Sequence, residues 1–158
     1  MRRPWNIPDV PVYSLATWQD DQVNMNICTY VTPVSMKPKQ YAVAVYKNTR
    51  TLENLNAGSG TVLQLLHRSQ AALIPALGKR SGKSYDKANY LRKKNLLTEW
   101  KGYEVLTDAL AWIEMEPIDQ VETGGDHLLF YFKVLNSKTN RDSSCLSLQY
   151  LIRHGWIL

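Results

Sequence analysis

Asn24-Met25-Asn26-Ile27-Cys28-Thr29-Tyr30-Val31-Thr32-Pro33-Val34-Ser35 contains the change of pattern on which the fold turns. Val23 to Val31 carries apolar and β-branched residues suited to a pleated surface and predicts a strand. Prolines then intervene. Pro33 and Pro38 bracket a loop, Thr32 to Lys39, because each removes a donor from a β-ladder. Upstream, Pro11-Val-Tyr-Ser-Leu-Ala-Thr-Trp18 alternates and predicts a strand, which the polar Gln19-Asp20-Asp21-Gln22 joins to the next as a hairpin. Downstream, Tyr41 to Tyr46 is a short, strongly apolar strand. Thr51 to Leu55 starts a short helix capped by Thr49 or Thr51, and Gly58-Ser59-Gly60 stops it. Thr61 to Leu66 is the next strand.

The middle of the chain changes character. Arg68 to Leu77 and Ser84 to Asn95 read as helical, split by Gly78 and Gly82. Strands then return at Tyr103–Leu106, Ala109–Met115, His127–Val134 and Leu146–Ile152. No βαβ alternation with fingerprint glycines is present. Strands that open and close the chain around a helical insert predict a mainly β protein, a closed antiparallel barrel with attached helices. The 158 residues fit one domain over 1–158 with the insert at about 68–101.

Composition narrows the partners. Hydrophobic residues make up 44% and charged residues 21%, which is globular rather than disordered. No apolar run is long enough for a membrane span. Arg2 and Arg3 are not followed by an apolar segment of the signal-peptide kind, so the cytoplasm is the expected compartment. Cys28 and Cys145 lie in unrelated contexts and read as packing residues; two thiols alone make no zinc site. The net charge of +5 is concentrated: Lys79 to Lys101 holds eight Lys/Arg against two acids, and the remainder eleven against twelve. Such a patch suits a phosphate-bearing partner, or is a solvated surface. No nucleic-acid motif frames it, so nucleic acid is disfavoured.

Catalytic constellations are few. Gly78-Lys-Arg-Ser-Gly82-Lys83-Ser84 is one residue short of a P-loop and lies between helices rather than after a strand. His67, His127 and His154 are scattered without metal-ligand spacing, and no nucleophile elbow occurs. Glu114 and Glu116 share a strand face, which a solvated surface explains better than an acid/base pair. A chain without acid/base machinery can leave the chemistry to a cofactor and supply binding and orientation. Lys47-Asn48-Thr49-Arg50-Thr51, after an apolar strand and at a helix start, has the amides, hydroxyls and cations for one phosphate; it reads equally as a polar loop capping a helix.

The opening stretch resembles the flavin reductase-like, FMN-binding split-barrel family, whose pattern reads like N-G-M-T-A-S-W-F-T-P-V-S. The likeness continues through Tyr41–Tyr46 to Asn48-Thr49-Arg50-Thr51, where the family has an S-x-x-T phosphate element. It continues at Asp86-Lys87 (family D-K-F), Asp108-Ala109 and Gly125-Asp126-His127, similar to the family G-D-H. The tail from Leu148 to Trp156 is similar to the family ending. Met25 stands where the family has glycine, Ile27-Cys28-Thr29-Tyr30 where it has Thr-Ala-Ser-Trp, and Asn48 where it has serine.

The resemblance implies a split-barrel homodimer with FMN near the dimer interface, FAD being the other flavin in view. The ring would lie along Asn26, Ile27, Cys28, Thr29, Tyr30, Val31 and Thr32, with Ser35 at the ribityl or ring edge. The phosphate would meet Asn48, Arg50 and Thr51, with Lys47 nearby. NADH or NADPH would be the hydride donor, and no protein group need act as a catalytic acid or base. His127 and His154 become nicotinamide-side residues, and a monooxygenase a partner for the reduced flavin. The implied function is an NAD(P)H-dependent flavin reductase. The substitutions in the opening stretch leave open a flavin-binding electron carrier without reductase turnover. The basic insert would cover the flavin and draw in a phosphorylated substrate, with Lys79, Arg80 and Lys83 contributing and Arg92-Lys93-Lys94 a solvated surface.

Overall fold

A computed structural model of the chain describes residues 1–158. The strands are β1 (Tyr13–Gln19), β2 (Gln22–Met25), β3 (Val31–Met36), β4 (Lys39–Tyr46), β5 (Thr61–Leu65), β6 (Leu97–Trp100), β7 (Tyr103–Leu106), β8 (Ala111–Glu122) and β9 (His127–Thr139). Three short helices, α1 (Arg50–Asn56), α2 (Lys87–Lys93) and α3 (Leu148–Arg153), accompany them. Seven strands form one antiparallel sheet in the order β2-β1-β5-β8-β9-β4-β3, and β6-β7 is a separate hairpin. The mainly β, antiparallel expectation holds. The closed barrel does not: β2 and β3 end the order and are not hydrogen-bonded to each other.

The sheet nevertheless curls on itself. Leu15 of β1, Leu63 of β5, Val43 and Val45 of β4, and Phe130 and Phe132 of β9 share one buried cluster with Leu52 and Leu55 of α1. Strands three places apart in the sheet can reach one core only if the sheet bends around it. The opposite face of β1 and β5, through Ala16 and Val62, packs on a second cluster with Leu73, Ile74 and Leu77 of the insert, Leu91 of α2 and Leu151 of α3. Alternate side chains of these central strands are therefore buried on opposite faces.

Four local expectations are corrected. The strand expected over Val23 to Val31 ends at Met25. Asn26 Oδ1 accepts from Leu15 N at 2.9 Å, so a side chain takes a ladder position and the main chain leaves the sheet. It touches β1 again only at Cys28, which exchanges two backbone hydrogen bonds with Tyr13 (2.8 and 2.9 Å). The loop expected over Thr32 to Lys39 is mostly strand β3. Proline is tolerated because β3 is the sheet edge, and the register shifts between Pro33 and Ser35. Leu146–Ile152, expected as a strand, becomes α3: Ser147 Oγ accepts from Tyr150 N at 3.3 Å and caps a helix. Finally, β8 and β9 run well past the expected Met115 and Val134, because their outer halves are exposed and their few apolar residues do not alternate with the period of a half-buried strand.

The short connections follow turn chemistry. Asp20 and Asp21 both have positive φ (49° and 63°), the twist a two-residue hairpin between Gln19 and Gln22 requires. Thr49 caps α1, its Oγ1 accepting from Leu52 N at 3.2 Å and donating to Tyr46 O at 2.8 Å. The insert opens with a 3-10 turn, Arg68–Leu73, and a π turn, Ile74–Gly78, before α2. No helix is long and apolar enough to cross a membrane.

Candidate functional site

Where the main chain leaves the sheet after Met25 it becomes one wall of a cavity of about 390 Å³. The opposite wall is the end of β4 with the loop and first turn of α1. The segment Leu77–Gly82 closes a third side, and Lys87 and His127 complete the lining. Two glycines let the insert come this close. A Cβ on Gly78 would sit 3.2 Å from Ile27 Cγ1, and one on Gly82 only 2.1 Å from Asn24 Oδ1. Asn24 Nδ2 in turn donates to Thr51 Oγ1 at 3.2 Å, so the strand segment, α1 and the insert lock at one corner.

The lining has a one-sided charge. Arg50, Lys79, Arg80 and Lys87 contribute to it, and none of its 21 residues is an acid. Arg80 lies over the Tyr85 ring, 4.4 Å from its centroid. Arg50 and Lys83 both reach Glu53, at 2.8 and 3.0 Å, and Lys83 also donates to Asn48 Oδ1 at 2.9 Å. The hydrogen bond from Lys83 leads the pull that holds the Glu53 carboxyl below the ordinary carboxylate range. At the other end His127 stands between Tyr30 and Tyr46, with ring centroids 5.2 and 5.4 Å away, and its Nδ1 is 2.6 Å from Asp126 Oδ1. Burial pushes the Cys28 thiol up to about 12, so this cysteine is a neutral packing group and not a nucleophile.

The sequence of this chain matches the model of the flavin reductase like domain over residues 9–153. The chain belongs to that family. It is 30% identical over 121 residues to the high molecular weight rubredoxin of Moorella thermoacetica, covering 75% of this chain and 51% of that protein. The chain thus spans about half the length of that curated relative. Among solved structures it is similar to the styrene monooxygenase flavin reductase of Pseudomonas putida S12, at a TM-score of 0.72 and 23% identity, with 86% of this chain and 84% of that one covered. It is likewise similar to the NADH:FAD oxidoreductase SgcE6 of Streptomyces globisporus in complex with NAD and FAD fragments. There the TM-score is 0.77 at 17% identity, with 92% and 84% covered. At such identities these likenesses show the fold.

In this flavin reductase-like chain Asn26, Ile27, Cys28, Thr29, Tyr30, Asn48, Arg50, Thr51 and His127 line the one cavity. Val31, Thr32 and Ser35 belong to β3 and lie outside the lining. Lys47 points elsewhere and pairs with Glu122 at 2.6 Å. His154 ends α3, stacked on Tyr150 with 4.0 Å between ring centroids and its Nδ1 2.9 Å from Tyr150 O. In the basic insert, Lys79 and Arg80 line the cavity, whereas Arg92 is held by Glu104, to which its Nε donates at 2.9 Å. Lys87, Gly78 and Gly82 did not emerge as site residues from the sequence. The signal was the pair of glycines in the near-P-loop, which marks a close backbone approach even though the loop is no P-loop.

Proposed function

We propose that the chain is a flavin-binding oxidoreductase domain, an NAD(P)H-dependent flavin reductase that takes hydride from a nicotinamide nucleotide onto a flavin. The observation that carries this reading is the acid-free, cation-lined cavity built by the segment 24–30 and the loop 48–51. Its volume falls in the range of sites for small molecules and cofactors, roughly 300–1,000 Å³.

The residues fit a flavin phosphate ester. Arg50 and the Asn48 and Thr51 side chains offer donors at one end, and Ile27, Ala44 and Val45 offer apolar surface between. A bound flavin supplies the hydride-accepting ring; the protein's part is placement and potential. Asn26 through Tyr30, having left the sheet, presents main-chain amides that no strand pairing uses, except at Cys28. Those amides would meet the polar edge of the ring whatever the side chains, which is why Met25 and Ile27 can replace the family residues. The positive potential of Lys79, Arg80 and Lys87 favours both a phosphate and the anionic reduced ring. His127, between two tyrosines at the mouth, is placed to orient the incoming nicotinamide nucleotide.

The same reading includes a homodimer. Tyr30 and Tyr46, at the cavity mouth, are exposed, as are Val34 and Met36 of β3, Ile118 and Val121 of β8, and Leu135 of β9. β8, β9, β4 and β3 are consecutive in the sheet, so these exposed apolar residues lie on neighbouring strands that a second copy could cover. A monooxygenase receiving the reduced flavin is the partner class that the styrene monooxygenase likeness suggests. NADH and FAD are named for the SgcE6 protein, and FMN is the smallest flavin carrying the phosphate that this cavity suits. The Moorella relative, a rubredoxin by name, favours a second reading as a flavin electron carrier without nicotinamide turnover.

The deciding experiment is flavin reconstitution followed by anaerobic addition of NADH and, separately, NADPH. Bleaching of the flavin absorbance with either nucleotide supports the reductase. Bound flavin that neither nucleotide reduces supports the carrier, and absence of flavin binding removes both.

A further inference from the structure

A second cavity, of about 410 Å³, opens beside the first, and Asn24, Arg50, Gly82 and Lys87 line both. The segment Gly78–Asp86 runs along the two. Gly78 to Gly82 wall the first cavity, and Gly82 to Asp86 wall the second. Its base is fixed. Leu77 and Ala88, on either side, are buried in the core, and Lys87 Nζ donates to Leu77 O at 2.7 Å, which draws the two ends together. Ser81 organises the interior: its carbonyl accepts from Ser84 N (3.2 Å) and Tyr85 N (3.0 Å), and its Oγ from Lys83 N (3.2 Å). Arg80 packs over Tyr85 within the same segment. A surface loop with joined ends, packed on its own side chains, is an Ω-loop, a form often tied to function.

The tip of the loop is tied to the rest of the protein through one side chain. Lys83 Nζ donates to Asn48 Oδ1 at 2.9 Å and pairs with Glu53 Oε1 at 3.0 Å. No other hydrogen bond or ion pair joins Lys79–Asp86 to residues outside the insert. The other oxygen of Glu53 holds Arg50 at 2.8 Å. The Lys83 and Glu53 side chains are 37% and 43% exposed, so water and salt compete for their contact. The remaining hold is steric, Gly82 seated without a side chain against Asn24 and Arg50. The closed position is thus a close fit kept by one exposed cation.

We propose that Gly78–Asp86 is a lid over both cavities, hinged at the Leu77–Lys87 base and latched by Lys83 on Glu53 and Asn48. Glu53 and Lys83 do not line the first cavity. They govern access to it by holding the loop down. Release of the latch swings Lys79 and Arg80 off the first cavity and Tyr85 off the second in one movement, because the bonds inside the loop keep it together. The latch is built from the protein's own charges, so it stands whichever ligand the cavities take.

Lys79, Arg80 and Lys83 are cleavage sites for trypsin, so the ligand-free full chain reports on its own lid. Cleavage of a transiently opened segment follows the population of the open form when opening is fast. Cuts within 79–83 are measured by mass spectrometry against cuts at Lys93 and Lys94, which are exposed and outside any ion pair. In wild type that ratio should rise roughly threefold or more between low salt and about 0.5 M salt. Glu53→Gln keeps every cleavage site; it should raise the ratio by a similar factor at low salt and flatten its salt dependence. Lys83→Gln should do the same for cuts at Lys79 and Arg80. Melting temperatures within a few degrees of wild type show that the fold holds, and if a variant fails to fold the wild-type salt series decides alone. A wild-type ratio indifferent to salt, or folded variants with the wild-type ratio, overturns the lid. No flavin is present, so the flavin reading stands or falls separately.

Discussion

A methyl group at Gly82 would land 2.1 Å from Asn24 Oδ1 and 3.1 Å from Arg50 Cβ, so at this residue the absence of a side chain is what lets three segments share a corner. Gly82→Ala should weaken flavin binding by tenfold or more, read by flavin fluorescence. Its melting temperature should fall by only a few degrees, because the clash is at a partly exposed loop and not in the core. Lys87 makes a second prediction at this scale. Its folded pKa, about 8, lies below the ordinary 10.5. Between those values the unfolded chain holds a proton that the folded chain has released, so stability rises with pH there. Wild-type protein should therefore gain stability relative to Lys87→Met from pH 8 to 10, by urea denaturation without ligand. A flat difference would mean that the ammonium is not desolvated. The sequence marks Gly82 as part of a near-P-loop and Lys87 as part of a family motif, but it does not say what either residue touches. Glycine and lysine are both ordinary in a polar insert, and only the neighbours brought in by folding make one obligatory and the other costly.

At the scale of elements, the decisive event is the departure of the chain from the sheet after β2. Asn26 Oδ1 replaces a backbone acceptor for Leu15 N. Asn26→Ala should cost about 1–3 kcal/mol, the usual penalty for a partly buried donor left unpaired, measured by denaturant unfolding. It should also weaken flavin binding, since the cavity wall begins at that residue. The apolar residues on either side of the departure misled the strand reading, because Ile27 and Cys28 stay inward while the ladder is carried by a side chain. Proline misled it in the opposite direction at β3, where an edge position leaves the missing donor without consequence. Within the basic insert the two ends differ. Lys79→Gln with Arg80→Gln should raise the Michaelis constant for the nicotinamide nucleotide at least fivefold, and Lys93→Gln with Lys94→Gln should leave it unchanged. Steady-state kinetics at fixed salt separates them.

For the whole molecule, the sheet is curled around one core and backed by a second, with the cavity where the open ends of the strand order leave room for the insert. Exposed apolar residues stand on β3, β8 and β9, and Tyr30 and Tyr46 are exposed at the cavity itself, so in the proposed homodimer assembly and flavin binding should be linked. Met36→Glu combined with Ile118→Glu, both exposed positions, should convert a dimer to a monomer by sedimentation and lower flavin affinity together. Retention of full affinity by a monomer would separate the two.

Much of the architecture was legible from local chemistry. The paired aspartates of the first hairpin, the Thr49 cap, the alternation of β1 and β5 and the concentration of charge in the insert all act within a few residues of themselves. The ordered motifs from Asn24 to His127 carried the family. Tertiary structure alone decided which of those motifs meet. It left the sheet open between β2 and β3, turned Leu148–Arg153 into a helix, and took Lys47 to Glu122 and His154 to Tyr150. It also brought Lys87 to the wall between two cavities. The physical reason is that a turn or a cap is settled by short-range geometry, whereas the partners of a buried charge are set by which distant segments pack beside it.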